Sequence, residues 1–140
     1  MKDFEFLEHT ADAKFRAYGK TLEEAFANAV RAIYAVMTDS SKVKPRKMHT
    51  LEVEARKKES LLFDLIAKLV YLIDTEGFLL SGVESLKISR SAEGYSLKAT
   101  LTGDAAEGYE IKTQVKAPTY SDMFIKEEKG QVTIQMVLDI

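Results

Sequence analysis

Hydrophobic positions recur along the chain with two different periods. From Thr21 to Met37, Leu22, Ala25, Phe26, Ala29, Val30, Ile33 and Met37 follow the i, i+3, i+4, i+7 ladder of an amphipathic helix. Thr21 and Glu24 have the spacing of a capping box, in which a hydroxyl and a carboxylate satisfy two backbone N–H groups left over at the helix start. A second helical segment runs from Ser60 to about Asp74. Its apolar residues, Leu61, Leu62, Leu65, Ile66, Leu69, Val70, Leu72 and Ile73, wrap more than one face, which predicts a more buried helix. Ser60 is placed to cap its start, and Gly77 to end it in the left-handed conformation.

Elsewhere apolar and polar residues alternate with period two. Phe4 and Phe6, Ala13 to Ala17, Leu51 to Ala55, Leu86 and Ile88, Tyr95 to Leu101, Tyr109 to Val115, and Val132 to Leu138 all show it. One-sided alternation predicts strands covered on one face and wet on the other, the antiparallel pattern. Ser91–Gly94 and Glu127–Gly130 read as hairpin connections. Ser40–Arg46 reads as a loop with Pro45 as a breaker, and Lys116–Asp122 as a polar loop around Pro118. The order of elements predicts an α+β fold, a largely antiparallel sheet with two helices packed on one face. No repeat or low-complexity linker interrupts it, so residues 1–140 are expected to form a single domain.

Composition narrows the chemistry. A chain of 140 residues can bury roughly 68–70% of its unfolded surface without staples. With no Cys, disulfides, Cys-ligated zinc, iron–sulfur clusters and thiol catalysis are excluded; with two His, a multi-His metal site is disfavoured. Twenty Lys+Arg against 22 Asp+Glu give a net charge of -2, which argues against a strongly basic nucleic-acid binder. The N-terminus lacks the apolar stretch of a signal peptide, and no apolar run is long enough to span a bilayer, so the expected location is cytoplasmic, without membrane association. No P-loop, dinucleotide fingerprint, HExxH or GxSxG is present, and neither His9 nor His49 has a nucleophile-elbow partner. The chemistry left to the chain is that of carboxylates, lysines and hydroxyls.

Four constellations could carry it. In Glu8-His9-Thr10-Ala11-Asp12, between two strands, Asp12 offers hard oxygen ligands and His9 a ligand, orienter or proton carrier, although any turn uses such residues. At the C-terminus, Leu138 continues the apolar face, so Asp139 lies with Thr133, Gln135 and Val137 off the core face, and Ile140 brings a second carboxylate. Oxygen clusters of this kind suit calcium or magnesium, whereas a frayed terminus would be solvated. Lys116, Thr119, Tyr120 and Ser121 project hydrogen-bonding groups from the segment around Pro118. Finally, Lys42, Lys44, Arg46 and Lys47, with Arg56, Lys57 and Lys58 further on, form a basic stretch with few interleaved aromatics; it reads as a solvated face, or as a weak patch toward RNA.

Taken together, these pieces resemble the archease family. F-L-E-H-T-A-D-A resembles that family's D/E-H-T-A-D signature. LLFDLIAKLVYLIDTEGFLL over Leu61–Leu80 is similar to its helix followed by L-x-D-x-E. KAPTYSDM from Lys116 is similar to its K-A-x-T-Y motif. Met136-Val137-Leu138-Asp139-Ile140 stands for its V-I-L-D-I ending. The motifs occur in the family's order along nearly the whole chain. Two departures are Glu8, where Asp is common, and Pro118, where Val or Ile is common.

The resemblance implies a non-catalytic protein. Archeases resemble activators of the RtcB-type RNA-splicing ligase, which joins tRNA exon halves using GTP and metal. They promote its guanylylation and multiple turnover and broaden its nucleotide use. The family's divalent-metal site carries over to Asp12, Asp139 and the backbone or carboxylate of Ile140, with calcium the ion associated with it. His9 falls inside the signature, and Lys116 and Tyr120 are candidates for contact with the ligase. Two alternatives stand beside this: a tRNA-binding or methylase-specificity module in transient contact with tRNA, and a metal-dependent hydrolase. The sequence leaves the oligomeric state open.

Overall fold

In the computed structural model, which describes residues 1–8 and 12–140, the first helix, α1 (Leu22–Met37), begins where the capping box places it. Thr21 Oγ1 accepts the Glu24 N–H at 3.1 Å. The Glu24 carboxylate accepts the N–H of Lys20, at 3.2 Å, one residue earlier than the box predicts. Helix α2 (Lys58–Glu76) starts two residues before the sequence suggests, with Lys57 at the cap position. Ser60 therefore lies in the first turn, where its hydroxyl accepts from Lys57 N and donates to Lys57 O. Gly77 ends the helix at φ 64°, a left-handed conformation that an L side chain strains to adopt.

Among the described residues there are also seven strands: β1 (Phe4–Leu7), β2 (Asp12–Gly19), β3 (Lys47–Ala55), β4 (Phe78–Ser91), β5 (Gly94–Ala105), β6 (Ala117–Glu128) and β7 (Gln131–Asp139), with a short 3-10 turn at Ser40–Lys42. All their pairings are antiparallel, and the class is α+β as the alternation predicts. The strands divide into two sheets, β1-β2-β7-β6 and β3-β5-β4. Each helix touches both: α1 packs on β2 and β7 and on β4, and α2 on β6 and on β3. Alternation shows which face of a strand is buried but not which strands pair, so it could not divide the sheet in two. The layering explains why α1 is buried almost all round, with Ala25, Phe26, Ala29, Val30, Ala32, Ile33 and Tyr34 inaccessible to solvent. Both hairpins form as expected, with Ser91 paired to Gly94 and Glu128 to Gln131.

Two segments differ from the sequence reading. Tyr109–Val115 alternates but forms no strand. Its backbone instead closes the end of α1: Lys112 N–H donates to Met37 O at 2.7 Å, and Thr38 Oγ1 donates to Glu110 O at 2.8 Å. The unpaired carbonyl of a helix end competed successfully for groups that a sheet ladder would use. Conversely, the supposed loop Lys116–Asp122 belongs mostly to β6. Its pairing with β7 is broken between Thr119 and Phe124, where Asp122 takes φ 54°. A bulge lets a Pro-containing edge strand keep its ladder on either side.

The basic stretch is also divided. Lys42 to Lys47 lies at one end of β3 and Arg56 to Lys58 at the other, about 30 Å apart for nine strand residues. Arg46 pairs with Asp104 at 3.5 Å and Lys58 with Glu127, which raises the Lys58 pKa through that hydrogen bond. Among the described residues, no helix is long and apolar enough to cross a membrane.

Candidate functional site

The two ends of the chain meet. β7 lies beside β2 in a register that pairs Phe15 with Met136, Ala17 with Ile134 and Ala13 with Leu138 on the core side. The same register sets Asp12 directly opposite Asp139. Directly opposed residues in an antiparallel pair share a face, with Cβ atoms about 4.5–5.5 Å apart. β6 completes the rung: Ala117 is registered with Asp139, and Lys116 N–H donates to Asp139 O at 2.8 Å. Asp12 is half-buried and Asp139 exposed. Ile140 is partly buried and packs against the core, so this end is held in place and not frayed.

The rungs beyond the carboxylates carry a polar network. Lys14, two residues along from Asp12, pairs with Asp122 at 3.5 Å. Arg16 Nε donates to Gln135 Oε1 at 2.9 Å, and Gln135 Nε2 donates to Asp122 O at 2.8 Å. The Arg16 guanidinium also lies over the Phe124 ring, 5.7 Å from its centroid. Thr119 Oγ1 donates to Val137 O at 2.8 Å. Gln135 and Val137 are therefore buried although they lie off the core face: the irregular part of β6 packs over them. The sequence reading missed Lys14 and Asp122. For Lys14 the i, i+2 spacing from Asp12 was the available signal; for Asp122 there was none, since a bulge placed it.

The remaining candidates separate. His9 lies outside the described residues. Tyr120 is half exposed and stacks on Phe63 of α2, with ring centroids 4.2 Å apart and planes at 4°. It stands on the opposite side of β6 from Thr119, and partial burial, with Asp64 nearby, pushes its pKa up. Lys116 adjoins the carboxylates through its backbone. His49, in phase with Leu51 and Val53, is structural: it lies edge-to-face against Phe78 at 4.7 Å and 3.8 Å from Glu76.

Chemically, the rung offers oxygen donors only. Opposed carboxylates repel, and a hard cation relieves that repulsion while taking several oxygen ligands. Asp12, Asp139 and the end of the chain at Ile140 fit such an ion by donor type. Among the described residues, no group of three or more His, Cys, Asp or Glu side chains converges here or elsewhere.

Over residues 4–140, the sequence matches the model of the Archease protein family. The chain belongs to the archease family. It is 43% identical to the protein archease of Aeropyrum pernix, over 95% of this chain and 94% of that one. It is 40% identical to the protein archease of Methanothermobacter thermautotrophicus over the full length of both. The solution structure of Methanobacterium thermoautotrophicum protein 1598 superposes with a TM-score of 0.86 at 38% identity, covering all of both chains. A Thermotoga maritima archease, described as a possible chaperone, shares the fold at a TM-score of 0.61 and 19% identity, covering 96% of this chain and 94% of that one.

Proposed function

We propose that this archease is an accessory activator of an RtcB-type tRNA-splicing RNA ligase, promoting its guanylylation and multiple turnover and broadening its nucleotide use. The observation that supports this reading most is the pairing of Asp12 with Asp139. It brings Asp12, the last residue of the H-T-A-D signature, and Asp139 of the D-I ending, 127 positions apart, onto one rung of one sheet. Asp12, Asp139 and the backbone or carboxylate of Ile140 would hold a divalent cation, calcium by the family resemblance. Such an ion supplies positive charge that a phosphate oxygen can share. The chain's own part is positional. The β2–β7 register fixes the two carboxylates relative to one another, the Lys116 N–H holds the Asp139 backbone, and Lys14 on the same face bonds Asp122. Lys116 and Tyr120 would contact the ligase, with the Tyr120 ring stacked on Phe63.

The test is a ligation assay with purified ligase, GTP and broken tRNA at substrate excess. The protein should convert a single turnover into many. Asp12→Ala or Asp139→Ala should abolish the stimulation while the fold persists by circular dichroism. Full stimulation by both folded variants would refute the role of the carboxylate rung, and no stimulation by the unaltered protein would refute the function. The division of the basic stretch between the two ends of β3 gives the tRNA-binding alternative no continuous surface.

A further inference from the structure

A second site lies away from the carboxylate rung. A cleft of about 360 Å³ opens between the C-terminal half of α1, β1, β4 and the 3-10 turn. Its apolar floor is Phe4, Ala35 and Leu80, and its polar rim includes Arg31, Lys112, Ser40 and Ser81. Phe4 is registered with Ala17, five residues along β2 from Asp12 and so roughly 17 Å from it along the strand.

Two independent features of this cleft call for a ligand. The first is charge. Arg31 is half-buried, and among the described residues its side chain bonds only the neutral Asn28 Oδ1, at 2.7 Å. Among the described residues no carboxylate forms an ion pair with Arg31, while Lys112 lies close enough to Asp39 to help lower the pKa of that carboxyl. A guanidinium withdrawn from water without an anion is in an unfavourable state, and its planar fork matches two oxygens of a phosphate or carboxylate. The second is the Ser40 hydroxyl, which is shielded from solvent and has no hydrogen-bond partner among the described residues. Buried hydroxyls are ordinarily paired. Asp39 also stands on the rim, but Ser41 occupies its Oδ1 through both N–H, at 3.1 Å, and hydroxyl, at 2.6 Å. Those bonds favour the ionised form of Asp39, so Arg31 and Lys112 leave the cleft one cation in excess.

We propose that this cleft binds a phosphate monoester of about mononucleotide size. The phosphoryl oxygens lie between Arg31 and Lys112 and take a hydrogen bond from Ser40 once its hydroxyl rotates into the cleft; the less polar body of the ligand rests on Phe4, Ala35 and Leu80. The volume lies at the lower end of the range for small-molecule sites, which fits one nucleotide-sized molecule. The cleft shares no residue with the carboxylate rung, so the site stands or falls separately from the proposed function.

The experiment is titration of the full chain, followed by amide chemical-shift changes, with inorganic phosphate, the four ribonucleoside monophosphates, the matching nucleosides and a 5′-phosphorylated RNA trinucleotide. At least one monophosphate should bind saturably at millimolar concentration or below, with the largest shifts at Ser40, Ser41, Ser81 and Lys112. Its nucleoside should bind at least about tenfold more weakly. Arg31→Gln should weaken binding at least about tenfold, and Lys112→Gln, on an exposed segment outside the core, by severalfold; Asp139→Ala should leave it unchanged. Equal binding of the trinucleotide would assign the same pocket to an RNA terminus. Binding of nucleosides and monophosphates alike, shifts confined to other surfaces, unchanged affinity in Lys112→Gln and Arg31→Gln, or no binding at all would overturn the proposal.

Discussion

Replacing Asp139 by Asn tests the carboxylate rung without a ligase. The substitution keeps the shape of the side chain and leaves the bond from Lys116 N–H to the Asp139 backbone carbonyl in place. It removes one of two like charges set directly opposite each other. Such pairs cost about 0.2–1 kcal/mol across an antiparallel ladder, toward the lower figure here because Asp139 is exposed and salt screens it over about 8 Å. In EDTA at low ionic strength, Asp139→Asn should therefore be more stable than the parent, by up to about 1 kcal/mol, or roughly 3–4 °C in Tm for a domain of this size. A cation bound by the folded rung reverses the order. At calcium about 100-fold above its dissociation constant the parent gains about 2.7 kcal/mol, and the variant, with one carboxylate fewer, gains much less. Urea melts with EDTA and with calcium give the four numbers needed. A variant no more stable than the parent in EDTA refutes the repulsion. Calcium stabilising both proteins equally places the ion elsewhere, and calcium stabilising neither removes it.

The remaining predictions concern three positions in the fold: Tyr34, Asp104 and Gly103. Tyr34 is inaccessible to solvent and its hydroxyl has no hydrogen-bond partner, so Tyr34→Phe should raise stability by about 1–2 kcal/mol in urea melts, with a loss of stability refuting the orphaned hydroxyl. Burial also raises the Tyr34 pKa, so the unfolded chain ionises first and the parent should lose stability above about pH 10; Tyr34→Phe should lose less, and parallel alkaline limbs would refute the shift. The Asp104 carboxylate accepts from Tyr109 OH at 2.7 Å, from Ala105 N–H and from Arg46, and the Tyr109 bond chiefly holds its pKa below the usual range. Its contribution is present above about pH 4 and vanishes as pH falls through the lowered value, so Asp104→Asn should flatten the acid limb of the stability curve, whereas an unchanged limb would refute the assignment. Gly103 sits where a Cβ would come within 1.8 Å of Leu79 O, so Gly103→Ala should cost about 1–3 kcal/mol by forcing β4 and β5 apart, and a neutral variant would show that the strands separate freely.

Most of the fold was legible because it follows from local pattern. α1 was marked by its ladder and its Thr21 cap, α2 by its apolar wrap and Gly77, and both hairpins by their Gly-containing turns. What escaped depended on partners distant in sequence. Tyr109–Val115 has a strand's alternation, yet its hydrogen-bonding groups serve Met37 and Thr38, some 70 residues away. Lys116–Asp122 has a loop's composition, yet β7 recruits it as an edge strand and Asp122 absorbs the irregularity. The candidate site divides in the same way. Asp12 and Asp139 could be named from the residues, while their juxtaposition rests on a pairing between the second and the last strand. Tyr120 and Lys116 lie close in sequence, but only the Lys116 backbone adjoins the carboxylates, because Tyr120 turns toward Phe63 on α2.

The register that opposes Asp12 to Asp139 is not the one electrostatics would choose. A one-residue slip of β7 along β2 would turn its core side chains to solvent and is excluded by burial alone. A two-residue slip keeps every side chain on its own face and would set Lys14 opposite Asp139, exchanging a repulsion for an attraction. On the scale of cross-strand charge pairs, that exchange favours the slipped register by at most about 2 kcal/mol. Against it stand Phe15, Ala17, Ile134 and Met136, all with no exposed surface, whose packing would be displaced together. Misfit at a single buried position of this size already costs about 1–3 kcal/mol, so four outweigh the charges. Gly19 adds a further constraint at the far end of β2, since a Cβ there would meet Ala25 N at 2.4 Å; β2 is tied closely to the start of α1 and cannot shift to accommodate β7. The core packing therefore fixes the register that sets Asp12 opposite Asp139, whatever the charges on that rung prefer.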